Sequence, residues 1–320
     1  MRLIEFPITV NSRQDVVSIY PLGDIHLGAL ACAEGPLRRV VREIRDDPLA
    51  YWFGGGDMCE YIKPQDLKRF GFDILPDWIL APNIKGFVKS LHKGDFDDDA
   101  KKVAKQYAKE IRDNLNNLCR KQLHRLVSIL EPISGIKCIG MLEGNHERAL
   151  RKHHNEDYHG ELCEQLGVEN LTDEAMIRLK FKGKGLGASL NLYIRHGYGG
   201  GRKAGSEPNK LADMLAEWED ADICFSGHTH TPCIVEPKPV LYMPRRGRVP
   251  EELLCRYRHA ANWGCWVYSH ATGPGSYVSN GCYPARPMTS CRACIQPFYH
   301  RDNGTSDNQM PRIEIRRITL

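Results

Sequence analysis

Val16-Val17-Ser18-Ile19-Tyr20-Pro21-Leu22-Gly23-Asp24-Ile25-His26 is the stretch on which the fold turns. The run from Val16 to Leu22 is mostly apolar and reads as a buried strand. It leads straight into a glycine and then an Asp-x-His pair. In open α/β sheets, chemistry gathers in the loops at the carboxyl ends of strands. Residues two apart on an extended backbone point the same way, so Asp24 and His26 are expected to converge on one point, as a pair of metal ligands requires.

The arrangement recurs along the chain. Leu49 to Phe53 is a short apolar run that ends in Gly54-Gly55-Gly56-Asp57. Ile136 to Leu142 ends in Glu143-Gly144-Asn145-His146, and Leu190 to Arg195 ends at His196 before Gly197. Asp222 to Ser226 ends in Gly227-His228-Thr229-His230, which repeats the Asp-x-His geometry with two imidazoles. Helices are expected from about Gly35 to Arg45 and from about Pro208 to Glu219. Short apolar strands separated by helices predict an α/β sheet covered on both faces. A lone Asp-x-His, or a lone His before Gly, is more often structural than metal-binding. Five such turns in order, each at an expected strand end, are very hard to obtain by chance.

The chain of 320 residues is long enough to bury a sizeable core, and 42% hydrophobic with 26% charged residues is ordinary globular composition. A formal net charge of +4 permits an anionic substrate without demanding one. The twelve cysteines lack the spacing of a disulfide-rich scaffold. No apolar run approaches the roughly 20 residues that cross a bilayer. The first residues, Met1 to Pro7, hold no continuous apolar stretch of the kind a secretory signal carries. A cytoplasmic protein with reduced thiols and no membrane partner is expected.

A single domain over residues 1–320 is expected, with two departures from the strand–helix pattern. Between about 61 and 131 the helical spacing of Val103, Tyr107, Ile111, Leu115, Leu118, Leu123, Leu126 and Leu130 indicates a mainly helical insertion. That insertion reads equally well as a structural helix or as a cap over substrate. From about 231 to 320 the chain turns strand-like and rich in Arg and Cys.

Gly23-Asp24-x-His26, Gly56-Asp57-x-x-Glu60, Gly144-Asn145-His146-Glu147, His196-Gly197 and Gly227-His228-x-His230 together resemble the five-block signature of the calcineurin-like metallophosphoesterase superfamily. The blocks span residues 23 to 230. The resemblance implies a four-layer α/β/β/α sandwich built around a dinuclear metal centre. It implies that Asp24, His26, Asp57 and His230 bind one ion. Asp57, Asn145, His196 and His228 would bind the other, with Asp57 as the bridge. His146 would face the substrate as a catalytic residue beside Asp57. Mixed nitrogen and oxygen ligands suit Mn first, with Fe, Zn or Ni as alternatives. Two ions about 3.5–4 Å apart can share a hydroxide and clamp both oxygens of an in-line displacement at phosphorus.

Departures from the signature narrow the activity. The family's serine/threonine protein phosphatases carry Asp-Arg-Gly where Asp57 is here followed by Met58-Cys59-Glu60, so that branch is disfavoured. The layout is more similar to exonuclease and small phosphodiesterase members. It also resembles phage-type and prophage-type ones, with a tail reading Ser276-Tyr277 and Gly281-Cys282-Tyr283-Pro284. The loop Gly197 to Lys203 follows a proposed ligand directly. Its glycines suit a phosphate cradle, with Arg202 and Lys203 as substrate contacts, or a flexible surface. Eight basic residues against one acidic residue between Arg178 and Lys210 favour a polyanion. A phosphodiesterase acting on nucleic acid or nucleotides is the expected function. A small-molecule phosphomonoesterase or phosphodiesterase and a non-catalytic scaffold stay open as alternatives. Cys291-x-x-Cys294, with Cys282 nearby, lacks a second pair and reads as ordinary thiols rather than a zinc site.

Overall fold

The computed structural model describes the whole chain except residues 67–69, 71–74, 81–105, 107–108, 112, 184, 201–202, 204, 244–253, 270–286 and 300–310. The described strands form two sheets. The first contains β1 (Arg2–Thr9), β5 (Glu174–Gly183), β6 (Leu186–Arg195), β7 (Ile223–Ser226), β10 (Leu254–Asn262) and β8 (Cys233–Ile234), with β9 (Lys238–Tyr242) beside β10. The second contains β12 (Arg312–Thr319), β11 (Thr289–Gln296), β2 (Val17–Leu22), β3 (Ala50–Gly54) and β4 (Cys138–Met141), in that order. The helices α1 (Glu34–Asp46), α2 (Leu118–Leu130), α3 (Asn145–His154), α4 (Tyr158–Leu166) and α5 (Ser206–Glu217) join or flank them. The fold is therefore mixed α/β.

Three apolar clusters hold these elements together. One contains Ile8, Ile19, Phe53, Ile177, Leu192, Phe225 and Ile295, so residues of both sheets share it. A second joins Tyr20, Leu22 and Trp52 to Leu37, Val40 and Ile44 of α1, Leu123 and Leu126 of α2 and Leu162 of α4. A third packs Leu211, Met214 and Leu215 of α5 on Tyr193, Cys224 and Ala260. Every residue of β2 is buried, which fits a central strand covered on both faces.

Strand direction gathers the candidate residues. In the second sheet β2, β3 and β4 are parallel, and in the first β6, β7 and β10 are parallel. Asp24, Asp57 and Asn145 follow the first trio; His196, His228 and Trp263 follow the second.

Element boundaries differ from the sequence expectation at one informative place. The run expected as a strand from Ile136 begins as a 3-10 turn, Gly135–Lys137, and pairs only from Cys138. Gly135 has a positive φ of 63°. The Lys137 ammonium donates to the carbonyls of Ile44 and Asp47, which tethers this turn to the end of α1. Pro208 lies inside the first turn of α5, where its missing N–H costs no intrahelical bond.

The described residues of the insertion include the short helix Asp77–Leu80 and α2, and α2 turns Leu118, Cys119, Gln122, Leu123, Leu126, Ile129 and Leu130 inward. Val103 and Tyr107 lie outside the described residues. The eleven described cysteines are free thiols. Cys291 and Cys294 lie three apart on β11 and so emerge on opposite faces, which separates rather than pairs them; Cys282 lies outside the described residues. Among the described residues no helix is long and apolar enough to cross a membrane.

Candidate metal centre

The ligand loops are not extended. Asp24, His26, Asp57, His228 and His230 all take left-handed backbone, with φ of 51°, 50°, 49°, 69° and 53°. Such conformations are uncommon for residues with a Cβ and persist where surrounding structure enforces them, typically at functional sites. The expectation that Asp-x-His and His-x-His converge through the pleat of a strand is thus corrected. The side chains are aimed by alternating left-handed residues instead.

Two groups of ligand atoms result. Asp24, His26 and His230 form one, and Asp57, His196 and His228 form the other; within each, the candidate ligand atoms lie within 4.8 Å of one another. His228 and His230 are therefore divided between the two groups. Asp57 lies between them, its Oδ2 3.3 Å from His196 Nε2 and 3.9 Å from His26 Nε2. Asn145 joins the second group, with Oδ1 3.1 Å from His196 Nε2. All seven predicted ligand positions are brought together.

Proton positions show what this arrangement lacks. His196 Nδ1 lies 2.8 Å from the Gly55 carbonyl, an acceptor only, so Nδ1 carries the proton. With no cation beside it the ring holds a second proton on Nε2, facing the oxygens of Asn145 and Asp57; a metal ion would take that proton's place. His26 Nδ1 likewise donates to Glu60 Oε2 at 2.8 Å, and its Nε2 faces His230 Nε2 at 3.1 Å. Asp24 Oδ1 is buried without any hydrogen-bond partner. A buried carboxylate oxygen without a partner is costly unless a cation sits beside it. Imidazole nitrogen, carboxylate oxygen and amide oxygen suit a borderline divalent ion. The residues present fit a pair of metal ions.

Electrostatics point the same way. Burial opposes charge on Asp57, yet His196 and His146 hold its carboxyl well below the usual range. Burial also opposes charge on His196, but Asp57, Asp24 and the Gly55 carbonyl raise it to about 10. Burial and the His196 charge lower His228. The pocket is thus a set of carboxylates seeking positive charge, which protons satisfy incompletely.

His146 belongs to neither group through Asp57 or His196. Its backbone N–H donates to Asp57 Oδ1 at 2.9 Å, and its ring Nδ1 donates to the Glu60 carbonyl at 2.5 Å. The ring meets His26 edge-on at 4.8 Å between centroids. His26, Glu60 and His146 also lie close enough to form a third potential ligand group. Glu60, however, is already engaged by the His26 Nδ1 proton.

Several residues that hold the pocket received no role from the sequence. Glu147 accepts the backbone N–H groups of Asp57, Met58 and Gly144, fixing the loop before α3 against the loop after β3. Burial and the Asp57 charge push Glu147 up to about 7 despite those bonds. Buried Glu207 accepts from Thr229 Oγ1 and Asn262 Nδ2, which anchors the residue between His228 and His230. Gln122 of α2 accepts the Tyr61 N–H at 2.9 Å, and its side chain fills the space where a Cβ on Gly28 would stand. Glu60 and Glu147 stand within the motif blocks, so their position carries a signal. Glu207, Gln122 and Trp263 offered none locally.

Of the expected substrate contacts, Lys203 is exposed and Arg202 lies outside the described residues. Tyr198, 65% exposed, is flanked by the Arg195 guanidinium at 5.2 Å and by Lys210 Nζ at 6.0 Å.

No protein-family model matches the sequence, and no curated protein matches it. Among solved structures, one from Streptococcus pneumoniae described as a predicted phosphoesterase is 12% identical, with 95% of this chain and 99% of that chain covered at a TM-score of 0.30. Vps29 of Entamoeba histolytica, solved in complex with zinc, is 9% identical, with 94% and 98% covered at a TM-score of 0.34. At those scores the likeness adds nothing to what the side chains themselves argue.

Proposed function

We propose that the chain is a dinuclear metal-dependent phosphoesterase of the calcineurin-like kind, with the four-layer arrangement that goes with it. The observation that carries this reading is the convergence of Asp24, His26, Asp57, Asn145, His196, His228 and His230 in two adjoining groups of nitrogen and oxygen ligand atoms on either side of Asp57, with Asp24 Oδ1 buried and unpartnered. Asp24, His26, Asp57 and His230 would hold one ion, and Asp57, Asn145, His196 and His228 the other. Two divalent ions, when bound, make water acidic enough to attack near neutral pH, with a pKa of about 7, and offset phosphate charge. Manganese is the first choice, with iron, zinc or nickel behind it.

The chain's own groups supply the rest. His26 and His196 are fixed as acceptors through Nε2 because Glu60 and the Gly55 carbonyl hold their Nδ1 protons. His146 has its Nδ1 engaged by the Glu60 carbonyl; burial opposes charge on the ring, but Asp57 and Glu60 favour its imidazolium form, whose Nε2 proton is the one left to hand to a leaving oxygen. Arg202 and Lys203 would contact phosphates beyond the one attacked, which favours nucleic acid or nucleotides as substrate.

The test begins with chelator-stripped protein reloaded with manganese, zinc, iron or nickel. Two ions per chain and turnover of a chromogenic phosphodiester are expected, with diesters preferred over phosphoserine peptides. Protein that takes up no metal under these conditions overturns the reading. Preferential release of phosphate from phosphopeptides overturns the diester assignment alone.

A further inference from the structure

Trp263 lies beyond the five motif blocks, immediately after β10, and is fully buried. Its indole N–H donates to Asp24 Oδ2 at 2.7 Å. The same oxygen accepts the His228 backbone N–H at 2.9 Å. Asp24 Oδ2 is therefore doubly engaged, while Oδ1 is buried, has no hydrogen-bond partner and stands 3.4 Å from His230 Nε2. One oxygen of the carboxylate is locked and the other is left bare.

The indole also explains three glycines. A Cβ added at Gly23, Gly55 or Gly227 would stand 2.8, 2.6 or 2.1 Å from atoms of the Trp263 ring. None of the three has a positive φ, so backbone conformation does not require glycine there. Close approach does. Each precedes a ligand loop: Gly23 that of Asp24, Gly55 that of Asp57, and Gly227 that of His228. One side chain thus sets the spacing of loops from both sheets. The Trp263 backbone N–H adds a bond to the Ser226 carbonyl at 3.1 Å, at the end of β7.

We infer that Trp263 is a positioning residue for the metal centre: its indole N–H occupies Asp24 Oδ2, its ring registers the loops headed by Gly23, Gly55 and Gly227, and Asp24 is thereby presented to a divalent cation through Oδ1 alone. The inference rests on the reading of this pocket as a cation centre. A carboxylate with both oxygens free can chelate an ion or turn away from it. With Oδ2 held by two donors, Asp24 has one orientation and one available ligand atom. Outer partners of this kind typically change metal affinity about 10–100-fold.

The experiment uses full-length protein with 15N-labelled tryptophan and zinc as the probe. The Trp263 indole resonance is assigned by its loss in Trp263→Phe. It should shift on zinc addition, because its acceptor carboxylate changes partner. The Trp52 indole, which donates to the Ile133 carbonyl, should stay still and serves as the internal control. By calorimetry, Trp263→Phe should weaken one zinc ion about 10–100-fold and leave the other close to wild type. In an Asp24→Asn background the same substitution should cost no further zinc affinity, whereas loss of ring volume alone would weaken both backgrounds equally. Wild-type protein that binds zinc without moving the Trp263 resonance overturns the inference and leaves the metal centre standing. Wild-type protein that binds no zinc overturns both. If Trp263→Phe does not fold, the wild-type titration decides, with the Trp263 resonance assigned from the backbone.

Discussion

The floor of the candidate centre and the rim beside it are built on opposite principles. On the floor, Asp24 and Asp57 are 0% and 2% exposed, and their loops are held by fixed hydrogen bonds. Asp24 Oδ1, unpartnered, stands 3.4 Å from His230 Nε2, where a cation would sit. On the rim, after His196, Tyr198, Gly199, Gly200 and Lys203 are exposed. The floor fixes chemistry because a left-handed Asp or His must be held in place by its neighbours. On the proposed reading the rim would govern which molecule is brought to that chemistry. Reaction class can be argued from geometry here, whereas substrate class is argued from charge.

The largest effect should come from the floor at its shared point. Asp57→Asn removes the charge that both ion groups use, while Glu147 and the His146 N–H still hold the loop. Activity should be abolished and much of the bound metal lost, as read by elemental analysis of the purified variant. Near-native turnover with two ions per chain would refute the bridging role.

His146 stands at the boundary between floor and rim. His146→Ala keeps the backbone N–H that binds Asp57 and removes only the ring. Both ions should stay, and the rate should fall by about 10²–10⁴-fold, the usual contribution of a general acid or base. If the variant instead empties one ion, the third group of His26, Glu60 and His146 is a real ligand set, and the division drawn above must be redrawn.

The same contrast explains what the sequence disclosed. The β2 run was readable because a strand covered on both faces is continuously apolar, and its glycine and Asp-x-His punctuation was local. The strand before Asn145 was readable in kind but not in length, since Lys137 is used as a tether to α1 rather than as a strand residue. The aim of the ligands was inferred through the wrong geometry: period-two alternation gives convergence, but left-handed backbone at Asp24 and His26 provides it here. Trp263 was illegible because its meaning lies in Gly23, Gly55 and Gly227, as distant as 240 positions along the chain. Strand β1 carries little local signal: its alternating pattern with Pro7 is that of an edge, and it pairs in parallel with β5 far downstream.

The smallest effect belongs to the rim, and it is one that activity alone would not reveal. If Arg202 and Lys203 touch phosphates other than the one attacked, their loss leaves the floor intact. Turnover of a small chromogenic diester should then be nearly unchanged in the Arg202→Ala, Lys203→Ala double variant. An oligonucleotide should show a raised KM, and the salt dependence of that KM should flatten. The reason is counterion release: each phosphate neutralised on a single strand contributes roughly 0.7 to the slope of log affinity against log salt, so two lost contacts remove up to about 1.4. A surface loop that merely carries charge would change the slope little, because dispersed charges are screened within about 10 Å at 0.1 M salt. Equal loss on both substrates would place the loop in the service of the floor, through His196 one residue before Gly197. An oligonucleotide that is not cleaved at all, beside a diester that is, would return the rim to solvent and make a small molecule the better substrate for the same chemistry.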